Sequence, residues 1–309
     1  MPERTPPRTS GGGIQLVAGG IDDLVDVGSS LGRLYFVVGA FDGLHRGHSY
    51  LLARLREAAA LHRARPAVIT FDHHPDEILV GAAPPVLCDP LERLVRFDHA
   101  GVDVVLIQHF DAALRLTPYD VFVRAIADRV DLAGFLMTPD AAFGHDRGGT
   151  PAALAELGRR LDFEVTVVEP MEIDGRPVRS TEIRTDIASG RLAPARRLLG
   201  RSVAMTGRVA RGERLVAARD GAARDGAGRD EAGDGRPIEV DFELPVALPP
   251  AGRYRAAVEA AWTPDLPRTA SPIPALATIG EGDGVSIELL GRRHAPSVDR
   301  LRIRLIGPV

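Results

Sequence analysis

The chain has 309 residues, 45% hydrophobic and 26% charged, with a net charge of −4; this is the profile of an ordinary globular protein large enough for two modest domains. The slight acidity predicts no general affinity for nucleic acid or anionic membranes, and the single cysteine, Cys88, excludes an internal disulfide and a cysteine-based zinc cluster. All 38 basic residues are arginine and the chain contains no asparagine, so the phosphate-binding lysine of a P-loop cannot occur here.

In chain order, residues 1–13 (MPERTPPRTSGGG) carry arginine, proline and glycine without an apolar core. They predict a disordered tail, not a secretory signal. No apolar run reaches the length of a membrane span, and a cytoplasmic protein is expected. Residues 33–39 (RLYFVVG) predict a buried strand. A helix is expected from Gly47 to His62, with Leu51, Leu52, Leu55, Ala58, Ala59 and Leu61 on its apolar face. Pro66–Phe71 predicts a strand, Leu91–Ala100 a helix and Val102–Ile107 a strand. Thr117 as N-cap and Pro118 in the first turn predict a helix through Val130. Phe135–Met137 predicts a short strand, Pro151–Leu161 a helix and Phe163–Val168 a strand, followed by two short helices, Thr181–Ser189 and Ala193–Leu199. Strands alternating with helices predict an α/β fold with a parallel sheet.

The pattern changes after Gly200. Segments 203–210, 238–244, 253–260, 285–290 and 300–306 predict strands without intervening helices, that is, a small antiparallel β domain. Residues 217–236 (AARDGAARDGAGRDEAGDGR) are poor in apolar residues and predict a disordered loop. The expected organisation is a tail over 1–13, a Rossmann-like α/β domain over 14–200 and a β domain over 201–309.

The chemistry is concentrated in GAFDGLHRGH, Gly39–His48. His45 and His48 lie where the first long strand ends and a helix begins, the place where open α/β sheets bind ligands. A helix N-terminus offers unpaired N–H groups and positive partial charge to a phosphate. Imidazoles added there can stabilise charge that develops as pyrophosphate leaves. Gly39, Gly43 and Gly47 allow a sharp turn and close approach to a ligand. An isolated pair of histidines at this spacing would merely cap a helix; the glycines and the strand before them favour phosphate binding.

This string resembles the nucleotide-binding motif of bacterial FAD synthetases, the bifunctional riboflavin kinase/FMN adenylyltransferases. The HxGH element is shared with cytidylyltransferases and class I aminoacyl-tRNA synthetases, and the preceding FDG narrows the resemblance. TFDHHPDEIL (Thr70–Leu79), GVDVVLIQHFD (Gly101–Asp111), LTPYDVFV (Leu116–Val123), PDAAFGHDRGG (Pro139–Gly149) and RSTEIRTDIASG (Arg179–Gly190) are similar to further family segments in the same order. The resemblance implies His45, His48 and Arg184 as catalytic residues. It implies Gly39, Phe41, Asp42, Gly47, Ser180 and Thr181 at the nucleotide, and Phe71, His74, Pro75, Asp140 and Phe143 at the flavin. Arg184 offers a planar fork matched to phosphate oxygens. The implied reaction is direct attack of the FMN phosphate on the α-phosphorus of ATP, giving FAD and pyrophosphate. Magnesium is expected to arrive with ATP, held by substrate oxygens and water and by no assigned protein ligand.

The chain departs from the family at the domain loop and further in its C-terminal third. Thr138 and Ala141 replace a usual glycine and aromatic, and Arg179 replaces a usual serine. GRSVAMTGRVARGERL (Gly200–Leu215) and ALPPAGRYRAAVE (Ala247–Glu259) resemble parts of a riboflavin kinase barrel. The asparagine of the kinase G-x-P-T-A-N motif is missing, Glu288 reads as an exposed strand residue, and the closing kinase helix is not found. Loss of riboflavin kinase activity is expected. Two alternatives stay open: a nucleotidyltransferase using another nucleotide or flavin-like acceptor, and a non-enzymatic flavin or nucleotide sensor. The sequence leaves the oligomeric state open.

Overall fold

The computed structural model describes residues 13–210, 237–261, 271–290 and 299–309. The expected tail, save Gly13, and the expected loop over 217–236 lie outside the described residues. Two compact units are formed: residues 1–84 with 94–178, and residues 85–93 with 179–309.

The first unit runs β1 (Gln15–Val17), α1 (Gly20–Val27), β2 (Arg33–Val38), α2 (Arg46–Leu61), β3 (Arg65–Phe71), α3 (Pro75–Leu79), α4 (Pro90–His99), whose first turn belongs to the second unit, β4 (Val104–Gln108), α5 (Ala112–Arg115), α6 (Tyr119–Ala127), β5 (Asp131–Met137), α7 (Pro151–Leu161) and β6 (Glu164–Val167). A two-stranded hairpin of β7 (Glu172–Ile173) and β8 (Arg176–Pro177) follows. The main sheet is parallel, in the order β1-β4-β3-β2-β5-β6. Its central strand β2 (RLYFVV) is covered on both faces, which explains its nearly continuous apolar run. Leu34 and Phe36 pack with Ile21 and Leu24 of α1, Phe122 and Ile126 of α6, and Leu154 of α7. Tyr35 and Val37 face the other way, into Leu52, Leu55 and Ala59 of α2 and Phe97 of α4. The strand order turns back between β2 and β5, so the C-terminal ends of these strands flank a crevice suited to ligands.

Two local expectations are corrected. Leu61 is 80% exposed, because the apolar stripe of α2 ends with Ala58 and Ala59. Thr117 does not cap the helix after it: its hydroxyl donates 2.9 Å back to Ala113 O, and α6 starts from Pro118 without a side-chain cap.

The second unit contains α8 (Ser180–Ala188), α9 (Leu192–Leu199), β9 (Ala204–Val209), β10 (Ile238–Asp241), β11 (Gly252–Ala260), β12 (Ile273–Ile279), β13 (Val285–Leu289) and β14 (Arg300–Pro308). The six strands close an antiparallel barrel in the order β10-β13-β12-β11-β14-β9. Inward residues alternate along β14 as Leu301, Ile303 and Leu305, each buried. Between them Arg302 is only 2% exposed and is held outside the barrel wall by Glu92. Its Nε donates to Glu92 Oε2 at 2.8 Å, its Nη2 to Glu92 Oε1 at 3.0 Å and its Nη1 to Glu259 Oε1 at 2.6 Å. This bidentate geometry gives a buried guanidinium the hydrogen bonds it needs.

Candidate nucleotide site

The loop from β2 to α2 is shaped by its backbone. Phe41 (φ 52°), Gly43 (φ 83°) and Leu44 (φ 37°) adopt positive φ, a cost tolerated where a fixed loop conformation is needed. Gly39 N–H donates to Ile69 O at 3.0 Å and Thr70 Oγ1 to Ala40 O at 3.2 Å, tying the loop to β3. Leu44 N–H closes the turn on Phe41 O at 3.3 Å.

His45 is the N-cap of α2. Its Nδ1 accepts the His48 backbone N–H at 3.3 Å, which satisfies one orphan donor and fixes the imidazole. The His45 and His48 rings stack with centroids 3.7 Å apart and planes 16° from parallel. Phe41 flanks His48 at 5.1 Å and meets Phe97 edge to face at 5.4 Å. His45, Phe41 and Asp42 are buried. A Cβ on Gly47 would stand 2.9 Å from Val178 O and 3.1 Å from the His45 ring. Two imidazoles at the positive end of a 16-residue helix can receive phosphate oxygens and stabilise negative charge there.

A cleft of about 280 Å³ opens at the crevice between β2 and β5, with Val38, Leu51, Met137, Asp140, Phe143 and Arg147 in its wall. Leu51 follows His48 by three positions on α2 and so shares its face. Thr138 Oγ1 donates to Asp140 Oδ1 at 2.8 Å, and Arg147 Nη2 donates to Asp140 O at 3.1 Å. Phe143 lies edge-on to Phe122 at 5.7 Å and 6.1 Å from Phe135, so it also belongs to the core. Arg147 is a wall residue that sequence reading did not single out. Its signal was a lone cation inside the glycine-rich stretch Gly144–Gly149.

The remaining flavin candidates stand at the end of β3. Phe71 is buried and meets Phe110 edge-on at 5.2 Å. His74 caps α3, its Nδ1 accepting Asp76 N–H at 3.2 Å, and Pro75 occupies the first turn. The first unit thus brings together Gly39, Phe41, Asp42, His45, Gly47 and His48, with Asp140 and Phe143 at the crevice. It does not contain Ser180, Thr181 and Arg184, which stand on α8 in the second unit. There Ser180 and Thr181 open the helix, and Arg184 Nε donates to Pro85 O at 2.8 Å. Glu288 lies exposed on β13, 3.2 Å from Arg253.

Asp42 belongs to no group of three or more convergent metal-ligating side chains among the described residues. Among the described residues, the one group of three or more convergent metal-ligating side chains is Asp72, His73 and His109. No helix of the described residues is long and apolar enough to cross a membrane.

Comparison with known proteins finds similar chains. The family model of FAD synthetase matches residues 29–182. Curated bifunctional riboflavin kinase/FMN adenylyltransferases are similar: that of Pseudomonas fluorescens is 34% identical over 179 residues, and those of Haemophilus influenzae and Escherichia coli K12 are each 31% identical over 180. Each alignment covers 58% of this chain and 58% of the relative, so the chain spans little more than half the length of the curated relatives it matches. A solved structure described as a macrolide-efflux protein from Streptococcus pneumoniae shares the fold, with a TM-score of 0.72 at 19% identity, covering 96% of this chain and 91% of that one. Residues 29–182, just under half of the chain, match the FAD synthetase family, and over this stretch the chain is similar to its members.

Proposed function

We propose that this chain is a cytoplasmic FMN adenylyltransferase, joining AMP from ATP to FMN to give FAD and pyrophosphate. The observation that carries the reading is the stacked His45–His48 pair capping α2 at the end of β2, inside a domain of the FAD synthetase family. The FMN phosphate oxygen attacks the α-phosphorus of ATP in line as the bond to pyrophosphate breaks, with no covalent enzyme intermediate. His45, fixed by its cap bond, and His48 beside it hold phosphate oxygens and stabilise the charge that builds on the leaving group. Arg184, Ser180 and Thr181 are assigned to the triphosphate by their donor chemistry. The crevice bearing Asp140, Phe143 and Arg147 is assigned to a substrate ring, and Phe71, His74 and Pro75 to the flavin side.

Magnesium fits this site as an ion carried by ATP. Asp42 is a buried carboxylate that joins no group of three or more convergent ligands among the described residues, whereas Mg²⁺ readily keeps substrate oxygens and water as ligands. It would supply charge neutralisation on the phosphates.

Riboflavin kinase activity is proposed to be lost. The residues between β9 and β11 contain no asparagine and no G-x-P-T-A-N motif. With purified protein, Mg²⁺ and ATP, pyrophosphate release and FAD formation are expected with FMN, and no FMN is expected from riboflavin. FMN formation from riboflavin would overturn the loss of the kinase. CTP, GTP and UTP in place of ATP test the nucleotide choice.

A further inference from the structure

Asp72, His73 and His109 meet at the C-terminal ends of β3 and β4. The two strands pair in register, with Phe71 opposite Gln108, so the next residue on each brings Asp72 beside His109. His109 Nδ1 lies 2.6 Å from Asp72 Oδ2, and His73 Nδ1 lies 3.3 Å from Asp72 Oδ1. One ligand atom from each residue falls within 4.8 Å of the other two. The carboxylate is itself fixed: Oδ1 accepts the backbone N–H of His73 at 2.8 Å and of Phe110 at 3.3 Å. The two rings stand edge to face, 5.9 Å between centroids.

We propose that Asp72, His73 and His109 form a binding site for a divalent transition-metal ion of the zinc class, distinct from the magnesium carried by ATP. Two imidazole nitrogens and one carboxylate oxygen suit Zn²⁺, Co²⁺ or Ni²⁺, whereas Mg²⁺ prefers an all-oxygen octahedron. Metal–ligand bonds of about 2.0–2.1 Å in a tetrahedral site place neighbouring donors about 3.3 Å apart. The His73–Asp72 pair has that spacing already. The shorter His109–Asp72 contact is the length of a proton-bridged pair, and the ion takes the place of that proton, which passes to solvent. The backbone N–H groups on Oδ1 then act as the outer partners that orient a ligating carboxylate. Donors on the ends of two hydrogen-bonded strands are held by rigid elements. The side chains of His73, Asp72 and His109 are 51%, 32% and 64% exposed, so further coordination positions open to water or to an incoming oxygen ligand.

The test is titration of tag-free, chelator-treated protein with Co²⁺, read by visible absorption and calorimetry, beside His73→Gln and His109→Gln. Both side chains are more than half exposed, so neither substitution disturbs the core; far-UV circular dichroism checks this. The expected result is one saturable Co²⁺ per chain, displaced by Zn²⁺ but not by excess Mg²⁺, with affinity lowered roughly tenfold or more in each variant. The absence of a saturable site, or wild-type affinity in either variant, overturns the proposal. The readout is metal affinity, so it does not depend on adenylyl transfer.

Discussion

Gly47 lies between the His45 ring and the Val178 carbonyl, with no room for a Cβ. That contact explains why a glycine separates the histidines: any side chain would push apart the cap that fixes His45 and the turn that presents His48. The two imidazoles are then stacked, with the His45 ring held by its cap bond, before a substrate arrives, which is the kind of preorganisation electrostatic stabilisation uses. His48→Ala is expected to lower adenylyl transfer by about 10²–10³-fold, as loss of one charge-stabilising donor does; steady-state turnover with FMN and ATP checks it, and near-normal turnover would remove His48 from the mechanism. This part of the site was legible because its residues are adjacent in the chain. The Asp72–His109 pair was not, being 37 positions apart and joined only once β3 and β4 pair in a known register. Its charge state has a direct consequence. The hydrogen bond to Asp72 and the carboxylate's charge raise the His109 pKa above 6.5. Burial opposes the Asp72 carboxylate, but the His109 hydrogen bond and the two backbone N–H donors outweigh it and lower its pKa. The pair is therefore fully charged from above the ordinary carboxylate range to beyond the ordinary imidazole value, is weakened as pH falls through the lowered Asp72 pKa, and is lost as pH rises through the raised His109 pKa. In Asp72→Asn, the His109 titration followed by NMR is expected to fall back towards 6.5; an unchanged midpoint would contradict this cause.

At the scale of elements, long strands and helices were legible from period and composition. β2, α2, β3 and α7 form where the apolar pattern placed them, within a residue or so. β12 was not among the expected strands; Pro274 within IPALATI weakens the local strand pattern, and antiparallel partners on both sides hold the strand. β1 is three residues long and gains its partners only from β4. Thr117 read as a helix start because threonine and proline together suggest a cap; in three dimensions the same hydroxyl closes the turn before it. Arg302 gave no periodic signal either, since a cation on an apolar strand is accounted for by partners distant in the chain, Glu92, 210 positions away, and Glu259, 43 away. Burial lowers the Arg302 pKa, yet the charge and hydrogen bonds of Glu92 and Glu259 raise it above its ordinary value. Glu92→Ala removes the two hydrogen bonds that its carboxylate accepts from a buried guanidinium. The expected loss is about 3 kcal/mol of stability in the second unit, the low end for a broken buried pair because Glu259 remains. Denaturant midpoints of wild type and variant measure it, and a change under about 0.5 kcal/mol, the range of ordinary surface substitutions, would contradict it.

At the scale of the molecule, the parallel sheet does what an open α/β sheet does: its strand order turns back beside β2, and both the HxGH loop and the crevice lie at that point. Alternation of strands and helices made the sheet legible, and helix-free spacing did the same for the antiparallel strands of the second unit. Closure of the barrel was legible only through the resemblance, because strand order is not written in local pattern. The central claim is that the first of these sheets supports adenylyl transfer to FMN. Its most direct test is a reaction of the full chain with Mg²⁺, FMN and ATP labelled at the α-phosphorus. The account predicts that label passes into FAD in step with unlabelled pyrophosphate. Label that never enters FAD, while the folded protein still binds ATP and FMN, would contradict it.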